Sequence, residues 1–308
     1  MTESPEFKFY PSETEVDVWL EDIWQEAQTT KFKAEPLDEQ GFTKQFGIRH
    51  LKGCRYIRFS PEGMDTFYGY WQPAPSHPAP LLIHTPGYGA EMSAHPDLVA
   101  RGYNVLHINP LGYVTPSGAD ETKAPDDQWP VFSQTYTSRG EHGYRQWLID
   151  CALAIRWAQS QEAVISDRLS FFGTSQGGGA SQMLGSLYRD HGVRCVAADV
   201  SWMTNFPLCK ELDVEWSRDT IAAIEAMDNP ADGWYALGLI DALSHARRLT
   251  IPVMFTAGGT DSTCPPSAIE TVFHRLPSTR MYCYLDGQGH AYTQEFVTLA
   301  SAWFRLYA

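Results

Sequence analysis

Apolar positions along the 308-residue chain recur at two periods. Val16, Leu20, Ile23, Trp24 and Ala27 fall at helical spacing, which predicts an amphipathic helix over 16–30 packed on the main body. Cys54–Ser60 and Thr66–Gln72 read as strands separated by the turn signal Pro61-Glu62-Gly63, and the proline-rich 73–80 reads as a surface connector. Short apolar runs at 81–84 and 104–108 predict two buried strands. A helix follows over 136–161, with Trp147, Cys151, Ile155 and Ala158 on one face. The run 168–172 predicts another buried strand, 176–188 a helix rich in small residues, and 195–200 a further strand. The stretch 203–240 breaks this rhythm, being aromatic, irregular and mixed in charge. Beyond it come a strand at 253–257, a helix at 267–276, a strand at 281–285 and a closing helix from Gln294.

Strands alternating with helices in this way imply an α/β fold, a mostly parallel central sheet with helices on both faces. The expectation is one α/β domain over 1–308, carrying an N-terminal helical extension and an inserted cap at 203–240. In such sheets, function gathers where the strands end.

Composition narrows the partners. With 23 basic and 37 acidic residues the net charge is −14, which argues against nucleic acid and anionic membranes. No run is long and apolar enough for a bilayer span, and the acidic first thirty residues lack a signal-peptide core. The six cysteines (54, 151, 195, 209, 264, 283) show no CxxC pair, so a cytoplasmic protein with reduced thiols is expected. No His and carboxylate cluster has metal-ligand spacing, and no phosphate-binding GKS or GxGxxG motif occurs, so neither metal nor cofactor is expected.

The chemistry concentrates in Gly173-Thr174-Ser175-Gln176-Gly177. A serine at a strand-to-helix turn is held in a tight backbone conformation with its hydroxyl exposed, and the flanking glycines avoid collisions with neighbouring backbone. Such a serine needs a base, and the base needs an acid to hold it. In the order serine, acid, histidine, the chain offers Asp261 after one strand and His290 after the last. Asp199, at another strand end, is the alternative acid, and Asp286 reads as a turn residue. An oxyanion would be met by the backbone N–H of Gln176 and by a second N–H from Pro86-Gly87-Tyr88-Gly89, taken as that of Tyr88; the competing reading of this loop is a plain tight turn. Trp202, Met203, Phe206, Trp216 and Trp234 either wall an acyl pocket or form the core of the cap. The residues thus read as a serine hydrolase; a peptidase or amidase and a catalytically silent binding protein are the alternatives.

Thr137-Ser138-Arg139-Gly140 through Asp150, the run Gly173–Gly179, Ala198-Asp199-Val200 and Asp261-Ser262-Thr263-Cys264-Pro265-Pro266-Ser267 together resemble the acetyl xylan esterase and cephalosporin-C deacetylase family of carbohydrate esterases. The resemblance runs over most of the chain. It implies an α/β-hydrolase fold and a Ser175–His290–Asp261 triad, with an oxyanion hole from Tyr88 and Gln176. It further implies removal of small acyl groups from sugars or related alcohols without a cofactor, and hexameric assembly. Two segments depart from the family pattern. Asn109-Pro110-Leu111-Gly112-Tyr113 stands where Arg-Gly-Gln is usual, and Ala291 follows His290 where Glu is usual. Leu111 and Tyr113 are therefore expected at the substrate pocket, with Trp202, Met203 and Phe206.

Overall fold

The computed structural model describes residues 5–37, 53–88, 92–109, 111, 114–115, 118–119 and 143–308. Among them, nine strands form one sheet: β1 (Phe32–Pro36), β2 (Arg55–Pro61), β3 (Phe67–Gln72), β4 (Ala79–Thr85), β5 (Asn104–Asn109), β8 (Val164–Thr174), β9 (Val193–Asp199), β10 (Val253–Gly258) and β11 (Arg280–Leu285). A separate two-stranded ribbon pairs β6 (Val114–Thr115) with β7 (Gly118–Ala119). The sheet order is β1-β2-β3-β5-β4-β8-β9-β10-β11. From β5 to β11 every neighbouring pair is parallel, whereas β1, β2 and β3 are joined antiparallel and β3 lies antiparallel to β5.

Period-two alternation gives this sheet two buried faces. On β4, Leu81 and Ile83 enter one core while Leu82 enters the other. The first core takes α1 (Glu13–Thr29), α3 (Tyr144–Gln159) and α4 (Gln176–Leu187); the second takes α2 (Pro96–Ala100) and α10 (Gln294–Tyr307). The N-terminal helix begins at a capping box, where the Ser12 hydroxyl accepts from the Glu15 N–H at 3.3 Å and the Glu15 carboxylate accepts from the Ser12 N–H at 2.8 Å. Its buried stripe Val16, Leu20, Ile23 and Ala27 joins the first core, so the apolar spacing in the sequence corresponds to a docked helix.

The stretch 203–240 differs from the irregular cap expected. It holds three helices, α5 (Phe206–Glu211), α6 (Glu215–Glu225) and α7 (Pro230–Ile240), followed by the single turn α8 (Ala242–His245). Of these, α7 starts on Pro230 and α5 carries Pro207 at its second position, and the Asn205 side chain caps α5 by accepting from the Leu208 N–H at 3.1 Å. In α6 the buried face is Ser217, Thr220 and Ile224, two of them polar, so an apolar repeat is missing from the sequence although the helical period is present. The helix expected over 136–161 is described from Tyr144 to Gln159, and its first expected residues lie outside the described segments. The remaining helix, α9 (Pro266–Arg275), packs between β10 and β11. No described helix is long and apolar enough to cross a membrane, and all six cysteines are free thiols.

Candidate active site

Three strand ends on the parallel side of the sheet converge. At the end of β8, Ser175 has φ 58° and ψ −119°, a left-handed conformation that costs a non-glycine residue roughly 1–3 kcal/mol and is held by its surroundings. Its N–H donates to the Asp199 carbonyl at 2.9 Å, and its carbonyl accepts from the N–H groups of Trp202 (2.9 Å) and Gly179 (3.2 Å). The turn projects the side chain away from α4, whose first N–H groups open beside it.

The Ser175 hydroxyl lies 3.0 Å from His290 Nε2, and His290 Nδ1 lies 2.9 Å from Asp261 Oδ2. Asp261 is buried, and its other oxygen accepts from the N–H groups of Thr263 and Cys264, both at 2.8 Å. With one carboxylate oxygen fixed by two backbone donors, the other has one orientation left, toward the imidazole. The loops carrying the acid and the histidine are laced together, since Gly259 N–H donates to the Leu285 carbonyl and Thr260 N–H to the Gln288 carbonyl. Asp261, Cys264 and His290 offer ligand atoms within 4.8 Å of one another, yet both Asp261 oxygens and both His290 nitrogens already have partners. Burial, then the Asp261 charge, pushes the Cys264 thiol well above its ordinary range, so it stays protonated beside them.

A pocket of about 600 Å³ opens over Ser175 and His290. Gly87, Tyr88 and Thr263 form part of its rim, and Trp202, Trp216 and Thr220 part of its wall. Trp202 and Trp216 meet edge to face with centroids 5.0 Å apart. Trp216 Nε1–H donates to the Thr263 carbonyl at 2.8 Å, tying α6 to the Asp261 loop. Trp202 and Trp216 were among the wall candidates in the sequence, whereas Thr220 was missed because it stands in a segment read as irregular.

The sequence model of the family described as acetyl xylan esterase (AXE1) matches residues 6–306. The chain belongs to the acetyl xylan esterase family. This esterase is accordingly a carboxylic ester hydrolase. Its structure is similar to acetyl xylan esterase 1 from Thermoanaerobacterium sp. JW/SL YS485, at 19% identity and TM-score 0.78, over 96% of this chain and 93% of that one. It is similar to the acetyl xylan esterase from Paenibacillus sp. R4 at 17% identity and TM-score 0.77, over the whole of both chains. A more distant likeness is to the Pyrococcus horikoshii acylaminoacyl peptidase, at 12% identity and TM-score 0.59, over 92% of this chain and 43% of that one. At these identities the likenesses are ones of fold, and the fold is that of the α/β-hydrolases.

Several residues sit elsewhere than expected. Met203 and Phe206 are buried in the first core and do not line the pocket of this esterase. Met203 packs against Gly179 in α4, and Phe206 backs both Trp202 (6.3 Å) and Trp216 (5.9 Å) from behind. Leu111 packs on the core with φ 66°, its N–H donating to Asp150 Oδ2 at 3.0 Å, and is not among the pocket's lining residues. Tyr113 lies outside the described residues. The Tyr88 ring is exposed at the rim, and the Gln176 side-chain amide donates to the Tyr144 hydroxyl, which keeps it in the interior.

Asp199, the alternative acid, points its carboxylate to the hydroxyls of Thr256 and Thr174, the latter at 2.8 Å. Burial pushes its carboxyl up to about 6, against the opposing pull of those two hydroxyls and of His290. The folded protein thus holds this proton more tightly than the unfolded chain, where the group titrates near 3.8. The stabilisation is fully present below about 3.8 and is lost as pH rises through about 6, amounting to at most ~3 kcal/mol. Asp199→Asn is expected to flatten that fall. Urea unfolding at pH 4.5 and 7.5 should show the variant gaining about 1–3 kcal/mol on the wild type between the two conditions. An unchanged difference would mean that Asp199 does not titrate in this range.

Proposed function

We propose that this member of the family is a serine carboxylesterase for short acyl esters, acetylated carbohydrates foremost, working through an acyl-enzyme. The observation that carries this reading is the hydrogen-bonded chain Asp261–His290–Ser175 at the floor of an open pocket. With Nδ1–H donating to Asp261, Nε2 of the neutral imidazole accepts from the Ser175 hydroxyl. Ser175 Oγ attacks the acyl carbon as its proton passes to Nε2, and the imidazolium is stabilised by the buried carboxylate. The tetrahedral oxyanion is met by the N–H of Gln176, at the positive end of α4, and by the N–H of Tyr88. Gly87 lies close enough to Ser175 for this second donor, since a Cβ built on it would stand 3.9 Å from the serine Cβ. His290 then protonates the leaving alcohol, and water repeats the sequence to free the acid. None of these steps calls on a cofactor.

Acetyl-sized substrates are supported by the family and by the names of the two acetyl xylan esterases that share the fold. Aromatic walls suit a sugar ring, which presents apolar C–H faces for packing. Hydrolysis of p-nitrophenyl acetate, butyrate and octanoate, with acetylated xylo-oligosaccharide alongside, tests the reading. Turnover concentrated on acetyl esters including the sugar is expected. A preference for octanoate with the sugar untouched would overturn the substrate assignment while leaving the serine chemistry in place. Trp216→Ala should open the wall and raise the butyrate-to-acetate ratio of kcat/KM by roughly tenfold, the worth of one or two buried methylenes. An unchanged ratio would place Trp216 on the alcohol side.

A further inference from the structure

On the opposite face of the sheet from α4, three histidines distant in sequence share one buried site. The parallel register sets His84 of β4 directly beside His107 of β5. Both follow residues, Leu82 and Val105, that feed the second core at the same face. His95, at the entry to α2, packs edge-on against His84 with centroids 4.2 Å apart and against Phe172 at 5.0 Å. Its position is fixed by the backbone, since its N–H donates to the buried Gln72 Oε1 at 2.6 Å, while Gln72 Nε2–H donates to the Ser93 carbonyl at 3.3 Å.

One nitrogen of this cluster, on His95, goes without a hydrogen bond, and two others face each other closely. His84 Nδ1 and His107 Nδ1 stand 2.7 Å apart, a separation with room for one proton between two acceptors. His95 Nε2 is buried with no hydrogen-bond partner, an arrangement that ordinarily costs free energy. One ligand nitrogen from each ring lies within 4.8 Å of the other two. We propose that His84, His95 and His107 form a three-imidazole site for a late first-row divalent cation, zinc in the first instance.

Three nitrogens bound to zinc at 2.0–2.1 Å stand about 3.3 Å from one another in a tetrahedral shell. Closing His95 on the cation therefore takes a shift of about an ångström, and the His84–His107 pair opens slightly as the cation replaces the shared proton. That proton moves to the remaining ring nitrogen of the same imidazole, so no net proton is released. Imidazole donors with no carboxylate favour zinc, cobalt or copper over magnesium and calcium, and three ligands leave a fourth position for water or an anion. Burial holds His95 at about 3 and His84 well below its ordinary value, so both rings are neutral, the ligating form, at neutral pH. The bound ion would tie β4, β5 and the start of α2 together four residues ahead of Tyr88.

The test uses the full-length chain without an affinity tag, stripped with chelator and titrated with Zn²⁺ or Co²⁺. One equivalent per chain is expected, with the intense visible absorption of tetrahedral Co²⁺ and an upward shift in Tm. X-ray absorption on the wild type should show about three imidazoles in the shell. His95→Asn should weaken binding at least tenfold, and His290→Ala should leave it unchanged. Less than a tenth of an equivalent bound, or a shell with one imidazole, would overturn the proposal and leave a neutral hydrogen-bonded histidine cluster. Loss of binding in His290→Ala would also overturn it, by moving the ion to the candidate active site.

Discussion

Ser175→Ala is expected to fold as the wild type does and to lose ester hydrolysis by a factor on the order of 10⁴ to 10⁶ in kcat. In the proposed mechanism serine, histidine and acid act as one unit, so without Oγ there is no hydroxyl for His290 Nε2 to deprotonate and no atom to carry the acyl group. Folding should be spared for a specific reason. The strained φ of 58° at Ser175 is imposed through its backbone, by the Asp199 carbonyl and the N–H groups of Trp202 and Gly179, and alanine keeps both that backbone and the Cβ. What alanine loses is the 3.0 Å contact to His290, at the edge of an open pocket, and a side-chain hydrogen bond with Cys264. Steady-state hydrolysis of p-nitrophenyl acetate with a matched thermal melt measures both halves. Residual activity above a hundredth of wild type, in a variant of unchanged Tm, would show that Ser175 is not the nucleophile.

The largest stability effect is expected at Gly177. A Cβ there would stand 2.0 Å from the Thr85 carbonyl oxygen and 2.7 Å from the Pro86 carbonyl oxygen. Both are backbone atoms at the end of β4, so relief requires moving the helix or the strand, and Thr85 is further held by its hydroxyl's 2.9 Å bond to the Gly177 carbonyl. Gly177→Ala should cost about 4 kcal/mol or more, lowering Tm by roughly 10 °C or abolishing soluble expression. Gly289→Ala supplies the control, because a Cβ there would meet nothing within 4 Å, and its Tm should stay within about 2 °C of wild type. Equal melts for the two variants would mean that the β4–α4 contact is slack.

These two positions also mark what a linear reading of the chain delivers. Glycines flanking a serine after an apolar run carry a steric requirement that is local, and the structure places Ser175, Asp261 and His290 in one hydrogen-bonded chain. Strand and helix alternation gave the parallel sheet for the same reason: each element's period is written in its own residues. Of the pocket wall, Trp202 and Trp216 were among the aromatic candidates of the insert, whereas Thr220 was not, because the buried face of α6 carries Ser217 and Thr220 in place of an apolar stripe. Met203 and Phe206 were expected beside Trp202 because they are near it in sequence. In the fold they turn inward, and Trp202 is the one that faces the cavity. Leu111 was inferred from a departure in a family pattern, which reports chemical difference and not direction; its N–H bond to Asp150 turns it onto the core. The His84–His95–His107 group had no sequence signature, since only the β4–β5 register brings residues 23 apart into contact.

The outermost position of β11 has a consequence for how this esterase loses activity. β8, which ends in the serine, is paired on both sides by β4 and β9, whereas β11, which leads to the histidine, is paired among the described residues only with β10 and is half-exposed along its length. Edges fray before interiors. Under gentle heating the imidazole should drift out of reach while the Ser175 turn is still intact. Such a catalyst falls silent early and recovers fully on cooling, its off-state a frayed selvedge on an otherwise native cloth.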